Sequence, residues 1–373
     1  MKRVLSIFFV ICLLLCACTK APAEQTTEST QATTTANVTT EQTTEAATSE
    51  PTQETTVPET TEATTPVELN FQNPLNGMPL AEQYTARPYA VMINNSEYAQ
   101  PMCSLNSADI VFEVLAEGGI TRCMAVFGDV AGIDHIGAIR SARPYYVRLA
   151  YSLDAIFVHH GGSDAGIAEA RALGIDRLDF LGNASDVYYR DQNRLNSGYS
   201  LEHTSFVDGE DLVDAAADLD FDAVRDDGID YGFVFGDAGS TAGGESATEL
   251  KVVFGSWGKT TRLTYDETTG KYAAYQHGDD VIDGNTNELV TFRNVLMLTA
   301  ATYVNDDNTT LTIDLLGEGD GYFACDGKVV PINWSRSDEG EPFVFTHEDG
   351  TPITFGVGNT YIAITPLNGA LEY

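Results

Sequence analysis

Arg140-Ser141-Ala142-Arg143-Pro144 sets two guanidinium groups beside a predicted helix start, where the macrodipole disfavours positive charge. Something anionic must compensate them. It is either a carboxylate of the chain, such as Glu113 or Glu117, or a ligand phosphate or carboxylate held bidentately. The internal salt bridge takes precedence because it needs no second molecule. In Gly161-Gly162-Ser163-Asp164-Ala165 a serine stands two residues after a glycine at a strand-to-helix turn, the start of a nucleophile elbow, and His203 is the nearest downstream histidine for a triad. Ala165 replaces the closing glycine, and a simpler reading prevails: Ser163 or Asp164 caps the helix while the glycines allow the turn. Glu113 and Glu117 offer paired carboxylates. On one strand their backbones would stand about 13 Å apart, beyond the roughly 5 to 9.5 Å that glycoside hydrolysis uses. His159 and His160, adjacent on a strand end, point to opposite faces and cannot chelate one metal together. One of them packs, and the other faces the mouth above the strand ends, where open α/β sheets bind ligands. With no Gly-rich phosphate loop bearing a lysine and no HExxH, neither a cofactor nor a metal is expected. Glu113, Ser163, Asp164 and His203 are thus the candidate catalytic groups, and none completes a constellation on spacing alone.

The elements that must position these groups are readable as apolar runs. Tyr89–Asn94, Ile110–Leu115, Met124–Phe127 and Ala155–Val158 read as strands. Pro144 suits a first helical turn, with Tyr145–Leu153 following as a helix. The run ending at Val158, the glycine turn and a helix through Leu173 make a βα unit. Glycine, serine and small residues cluster between Gly232 and Leu250, which places a linker over 237–247. Beyond it, strand-like pieces alternate with turns: 250–254, 261–265, 272–276, 290–298, 311–315, 321–324, 328–334 and 361–365. The fold class expected is an α/β (α+β) N-terminal domain over 69–236 and a mostly antiparallel β C-terminal domain over 248–373.

The chain opens on Lys2-Arg3, an apolar run from Val4 to Leu15, and Leu15-Cys16-Ala17-Cys18. That is a signal peptide over residues 1–17 with a lipobox, so Cys18 is the expected lipidated N-terminus. An apolar run of about 12 residues falls short of the roughly 20 that span a bilayer. From Thr19 to Thr65 there are 19 threonines among 47 residues, with glutamates and almost no large apolar side chains. Such a stalk, bounded as 18–68, buries too little apolar surface to fold. Its coil dimension is near 40 Å by random-coil scaling. Loss of Lys2 and Arg3 leaves 18 basic residues against 55 acidic, a net charge of −37. That balance excludes nucleic-acid binding, which rests on phosphate neutralisation. It also disfavours adhesion to anionic lipid through a basic patch, which leaves the acyl chain as the membrane contact. Three cysteines, Cys103, Cys123 and Cys325, remain in the body. One bridge at most is possible, Cys103 to Cys123, and buried free thiols are favoured because about 300 residues bury an adequate core without staples.

Three long motifs carry a resemblance: Arg87-Pro-Tyr-Ala-Val-Met-Ile-Asn-Asn95, Ala108-Asp-Ile-Val-Phe-Glu-Val-Leu-Ala-Glu-Gly-Gly-Ile-Thr-Arg122 and Ile136-Gly-Ala-Ile-Arg-Ser-Ala-Arg-Pro-Tyr-Tyr146. His159–Ser163, Tyr188-Tyr-Arg-Asp191 and, further on, Asp283-Gly-Asn-Thr286, Gly321-Tyr322, Asp326-Gly-Lys328 and Trp334 extend it. The chain resembles the YerB-like lipoproteins over roughly residues 70–373. The resemblance implies a two-domain extracytoplasmic lipoprotein, mainly of Gram-positive bacteria, and implies no activity. Where that family carries Pro-His-Asn, this chain has Glu202-His203-Thr204. The expectation is a protein held to the membrane through lipid on Cys18, outside the cytoplasm. Arg140, Arg143 and Arg190 are expected to line one polar cleft near His160, Asp164 and His203 and to bind an anionic envelope component. The competing readings are a wall-modifying hydrolase or transferase and a scaffold that docks envelope proteins.

Overall fold

Tyr89–Asn95 (β1), Ile110–Leu115 (β2) and Thr121–Phe127 (β3) are buried at every position. This explains their near-continuous apolar character, because strands covered on both faces need no polar alternation. The computed structural model describes residues 69–307 and 310–373. The signal segment 1–17, Cys18 and the stalk 18–68 lie outside the described residues. After β3 come Ile136–Gly137 (β4), Pro144–Tyr151 (α1), Ile156–His159 (β5), Asp164–Leu173 (α2), Arg177–Asp179 (β6), Tyr189–Arg190 (β7), Gln192–Asn196 (α3), Ser205–Val207 (β8) and Gly209–Asp218 (α4). Pro144 opens α1 as expected. The βα unit is present: β5 leads into α2, whose first turn is capped by the Ser163 hydroxyl accepting from Gly166 N at 3.1 Å. Gly174, at φ +65°, ends α2 in the left-handed conformation that a side chain would strain. The chain then returns as β6, parallel to β5.

The later half is mostly antiparallel β, as expected, with one 3-10 turn at Gly255–Trp257 and a parallel pairing of Asn294–Ala300 with Thr360–Pro366. Glu249–Val253 (β9), Thr260–Asp266 (β10) and Lys271–Gln276 (β11) form an antiparallel sheet. Asn294–Ala300 (β12), Gly317–Cys325 (β13), Lys328–Arg336 (β14) and Thr360–Pro366 (β15) belong to a second, larger sheet. From Pro331 to Arg336 the residues of β14 alternate between exposed and buried, the period-two signature of a sheet with one wet face. The large sheet is continuous across both halves of the sequence, in the order β14, β13, β12, β15, β2, β3, β1, β5, β6. Its seam is the parallel pair β15 and β2, in register from Thr360 opposite Ile110 to Ile364 opposite Val114. Within 237–247, Glu245–Ser246 pairs with Lys328–Val329 on the far edge of this sheet. Cys103, Cys123 and Cys325 are buried free thiols. No helix among the described residues is long and apolar enough to cross a membrane.

Glu113 lies at the seam with 0% of its surface exposed. Its carboxylate accepts five hydrogen bonds: from Asn95 Nδ2 at 3.0 Å, Thr121 Oγ1 at 2.6 Å, Thr261 Oγ1 at 2.8 Å, Gln276 Nε2 at 3.0 Å and the Tyr361 hydroxyl at 2.6 Å. Lys259 Nζ stands 3.7 Å away, itself donating to Gln276 Oε1 at 2.8 Å. Removing the acceptor strands buried donors from five strands. Glu113→Ala should therefore cost about 3 to 5 kcal/mol in chemical denaturation, with Glu113→Gln losing less. A loss below about 1 kcal/mol, the scale of an exposed ion pair, would refute this account of the seam.

Candidate functional site

The site is built where three short segments meet above the end of β5. The segment 139–142 runs beside the sheet: Arg140 N donates to Met92 O at 2.9 Å, and Arg140 O accepts from His160 N at 3.0 Å. Antiparallel pairing of β7 with β8 sets Arg190 directly opposite Ser205. Ile139 N donates to Ser205 O at 2.8 Å and closes the ring of segments. Together they line a cleft of about 350 Å³ with Arg140, Ser141, His160, Arg190, Glu202 and Ser205 on its walls. The two adjacent histidines divide as the strand alternation requires. His159 is wholly buried, bonded to the Gly161 carbonyl, and His160 faces the cleft.

Hydrogen bonding fixes the state of His160. Its Nε2 is 3.2 Å from an Arg190 nitrogen, and a guanidinium only donates, so Nε2 accepts. The ring proton is therefore on Nδ1 and is donated to Ser205 Oγ at 2.8 Å. Burial and then the Arg190 charge push the His160 pKa down to about 4, so the ring is neutral at pH 7. Ser205 thus receives a hydrogen bond where an activated nucleophile would give one. The Arg190 guanidinium stacks over Tyr188 at 5.1 Å, and its hydrogen bonds go to the Leu201 carbonyl at 2.8 Å and to His160. Among the described residues no carboxylate pairs with it. Arg140 binds Glu202 Oε2 at 2.7 Å, and this bond holds the Glu202 carboxyl below its usual range. Arg140 Nε is buried with no acceptor in the protein.

A second cavity, of about 530 Å³, shares Glu202 and includes His203 and Tyr98. Asn94 Oδ1 accepts from Ser96 N at 3.1 Å, so its Nδ2 donates to His203 Nδ1 at 2.8 Å and leaves the His203 proton on Nε2. That proton faces Glu202 Oε1 at 3.7 Å. Burial holds the His203 pKa below its ordinary value.

Models of the protein family described as "Protein of unknown function (DUF3048)" match the chain twice, the N-terminal domain over residues 75–222 and the C-terminal domain over 250–362. The chain belongs to this family. It is 28% identical over 296 residues to the Bacillus subtilis (strain 168) protein named "Putative lipoprotein YerB", covering 79% of this chain and 86% of that one. A crystal structure of YerB from Bacillus subtilis superposes with a TM-score of 0.70 at 27% identity, over 81% of this chain and 99% of that one.

Within this DUF3048 chain the residues expected to share one cleft do not all meet. Arg140, His160 and Arg190 do, and His203 lines the adjoining cavity. Arg143 is turned away, gripping both oxygens of Glu117, with 2.8 Å from its Nη2 to Oε2. Burial alone would raise the Glu117 pKa, but the hydrogen bonds and charge of Arg143, with Arg122 at 3.3 Å, outweigh it and hold the carboxyl low. The anion at the start of α1 is therefore Glu117, while Glu113 is the hub of the seam. Ser163 lines a separate cavity with Arg143, and Asp164 is exposed on the first turn of α2. Ser205, Asn94 and Tyr98 escaped the sequence reading. Of these, Asn94 lay within a quoted family motif. Among the described residues no three His, Cys, Asp or Glu groups are placed to hold a metal ion.

The folded pKa of His160 lies below its ordinary 6.5, so the unfolded chain takes up this proton first and stability falls as pH drops from about 6.5 to about 4. Denaturation measured across that window should show the decline, and His160→Asn should lessen it. NMR titration of the ring at an ordinary histidine pKa would contradict the burial and the Arg190 contact together.

Proposed function

We propose that this chain is a membrane-anchored extracytoplasmic lipoprotein that binds an acidic component of the cell envelope, such as a wall glycopolymer or a peptidoglycan stem carboxylate, in the cleft of Arg140 and Arg190. The observation that carries this reading is the Arg190 guanidinium, which lines the cleft with no carboxylate partner among the described residues. Beside it, the carboxylate on Arg140 belongs to Glu202, which is 55% exposed. With Glu202 mostly in solvent the pair is screened and worth only about 1 kcal/mol, so a ligand acid reaching both arginines displaces it. Neutral His160 adds a polar wall and leaves the two arginines as the cations of the cleft. Its tautomer argues against Ser205 as a nucleophile, which favours binding over wall hydrolysis or transfer. Anchoring rests on the lipobox at Cys18 and on the lipoprotein name of the relative.

Two experiments test the two parts. Cys18→Ala should move the protein from the membrane to the soluble fraction, and unchanged fractionation and mass would defeat the anchor. Arg190→Ala should weaken binding of soluble acidic wall fragments by about 1.5 to 3 kcal/mol, the scale of a charge-assisted hydrogen bond, with little change in melting temperature. Arg143→Ala should do the reverse, lowering the melting temperature and leaving binding intact. If no acidic fragment stabilises the wild-type chain in thermal scans, the binding reading is wrong.

A further inference from the structure

The cavity next to the arginine cleft has the chemistry of a different kind of ligand group. Tyr98, on the turn Glu97–Ala99, is 75% exposed and more exposed than any other large apolar side chain among the described residues. Its ring is therefore open to a ligand at the mouth of the second cavity. It stands at the rim of the second cavity with Tyr199, the Gln100 amide, the Ser200 hydroxyl and the His203 ring. Gln100 Nε2 has no acceptor in the protein, and His203 presents the N–H on Nε2 derived above. The floor is rigid. Arg194, 7% exposed, donates to the Ala99 carbonyl at 2.8 Å and the His203 carbonyl at 3.2 Å, and lies 5.2 Å over the Tyr199 ring. Tyr199 in turn donates its hydroxyl proton to the Gln100 carbonyl at 2.8 Å.

Aromatic faces carry partial negative charge and attract the slightly positive C–H bonds on the face of a sugar ring. Amide, hydroxyl and imidazole donors beside them suit a ligand rich in hydroxyl groups. Glu202 joins this cavity to the arginine cleft: its Oε2 binds Arg140 on one side and its Oε1 faces His203 on the other. A carboxylate of the chain thus stands at the junction, where a ligand acid would reach both walls.

Resting on the anion-binding reading above, we infer that the two cavities form one site for an acidic saccharide, with a sugar ring on Tyr98 and Tyr199 and its acid group displacing Glu202 from Arg140. A carboxylate or a phosphate borne by the sugar satisfies the same guanidinium groups.

Titration of the full chain followed by NMR separates these parts. The probes are the carboxylated disaccharide of N-acetylglucosamine and N-acetylmuramic acid, the neutral disaccharide chitobiose, glucose 1-phosphate, acetate and inorganic phosphate. An acidic saccharide should bind about tenfold tighter than chitobiose or either free anion, and the better of the carboxylated and phosphorylated sugars identifies the acid. Tyr98→Ala, at an exposed position that the fold does not use, should weaken the acidic sugar about fivefold and leave acetate and phosphate unchanged. Glu202→Gln should tighten both sugar and free anion by removing the competing carboxylate. If Arg190→Ala weakens every anion while Tyr98→Ala changes nothing and acetate binds as well as the disaccharide, the saccharide inference falls and the anion cleft stands. If neither the acidic sugars nor the free anions bind, both fall.

Discussion

One buried carboxylate ties the two family domains together. Glu113 sits on β2, and the donors it collects come from the N-terminal half at Asn95 and Thr121 and from the C-terminal half at Thr261, Gln276 and Tyr361. An apolar residue in its place would avoid the desolvation cost, and well-packed substitutes for buried ions are often more stable. What the carboxylate adds is geometry. Side chains alternate faces along a strand, so a one-residue slip of β15 against β2 would turn Tyr361 away and remove its bond. The seam therefore has one register in which all five donors are satisfied, and the continuous sheet is assembled around it.

The same strand end links this hub to the cleft. Asn94 and Asn95 are consecutive at the end of β1 and face opposite sides. Asn95 donates to Glu113, and Asn94 donates to His203 in the second cavity. A displacement of β1 would disturb both, so the arginine cleft inherits its rigidity from the seam. Arg194 performs a comparable task from below, binding the Ala99 and His203 carbonyls and bracing Tyr199. Preorganisation of this kind would lower the ordering cost of binding a small charged group in the cleft, as proposed above.

How much of this was legible in the sequence follows the distance over which each feature is encoded. Strands β1, β2 and β3 and the β5–α2 unit are local patterns of apolar runs, glycines and a capping serine, and they were readable. The opposed faces of His159 and His160 follow from strand alternation alone. Glu117 as partner of Arg143 was one of two carboxylates the sequence offered, because a charge at a helix start demands an opposite one nearby. The role of Glu113 was not readable, since its donors lie from 8 to 248 residues away along the chain. Nor was Glu202 on Arg140, 62 residues distant. Asp164 looked like a site residue because it neighbours Ser163, yet the first turn of α2 points it to solvent. Neighbours in sequence at a helix start diverge by about 100° per residue, so adjacency there is a poor guide to a shared cleft.

The acidity of the whole chain bears on the cleft in a way that composition alone misstates. A net charge of −35 opposes the approach of any anion. That repulsion comes from carboxylates spread over the surface and is screened beyond about 8 Å at physiological ionic strength. Contact with Arg140 and Arg190 acts over 3 to 4 Å, inside the screening distance, in a cleft partly closed to water. Added salt therefore weakens the long-range repulsion more than it weakens the bound pair. For the proposed anionic ligand, approach would be slow at low salt and the local cations would decide occupancy. On the proposed reading, an acidic body with two guanidinium groups in one cleft would discriminate by geometry, since an anion that cannot present its charge at that point meets only repulsion.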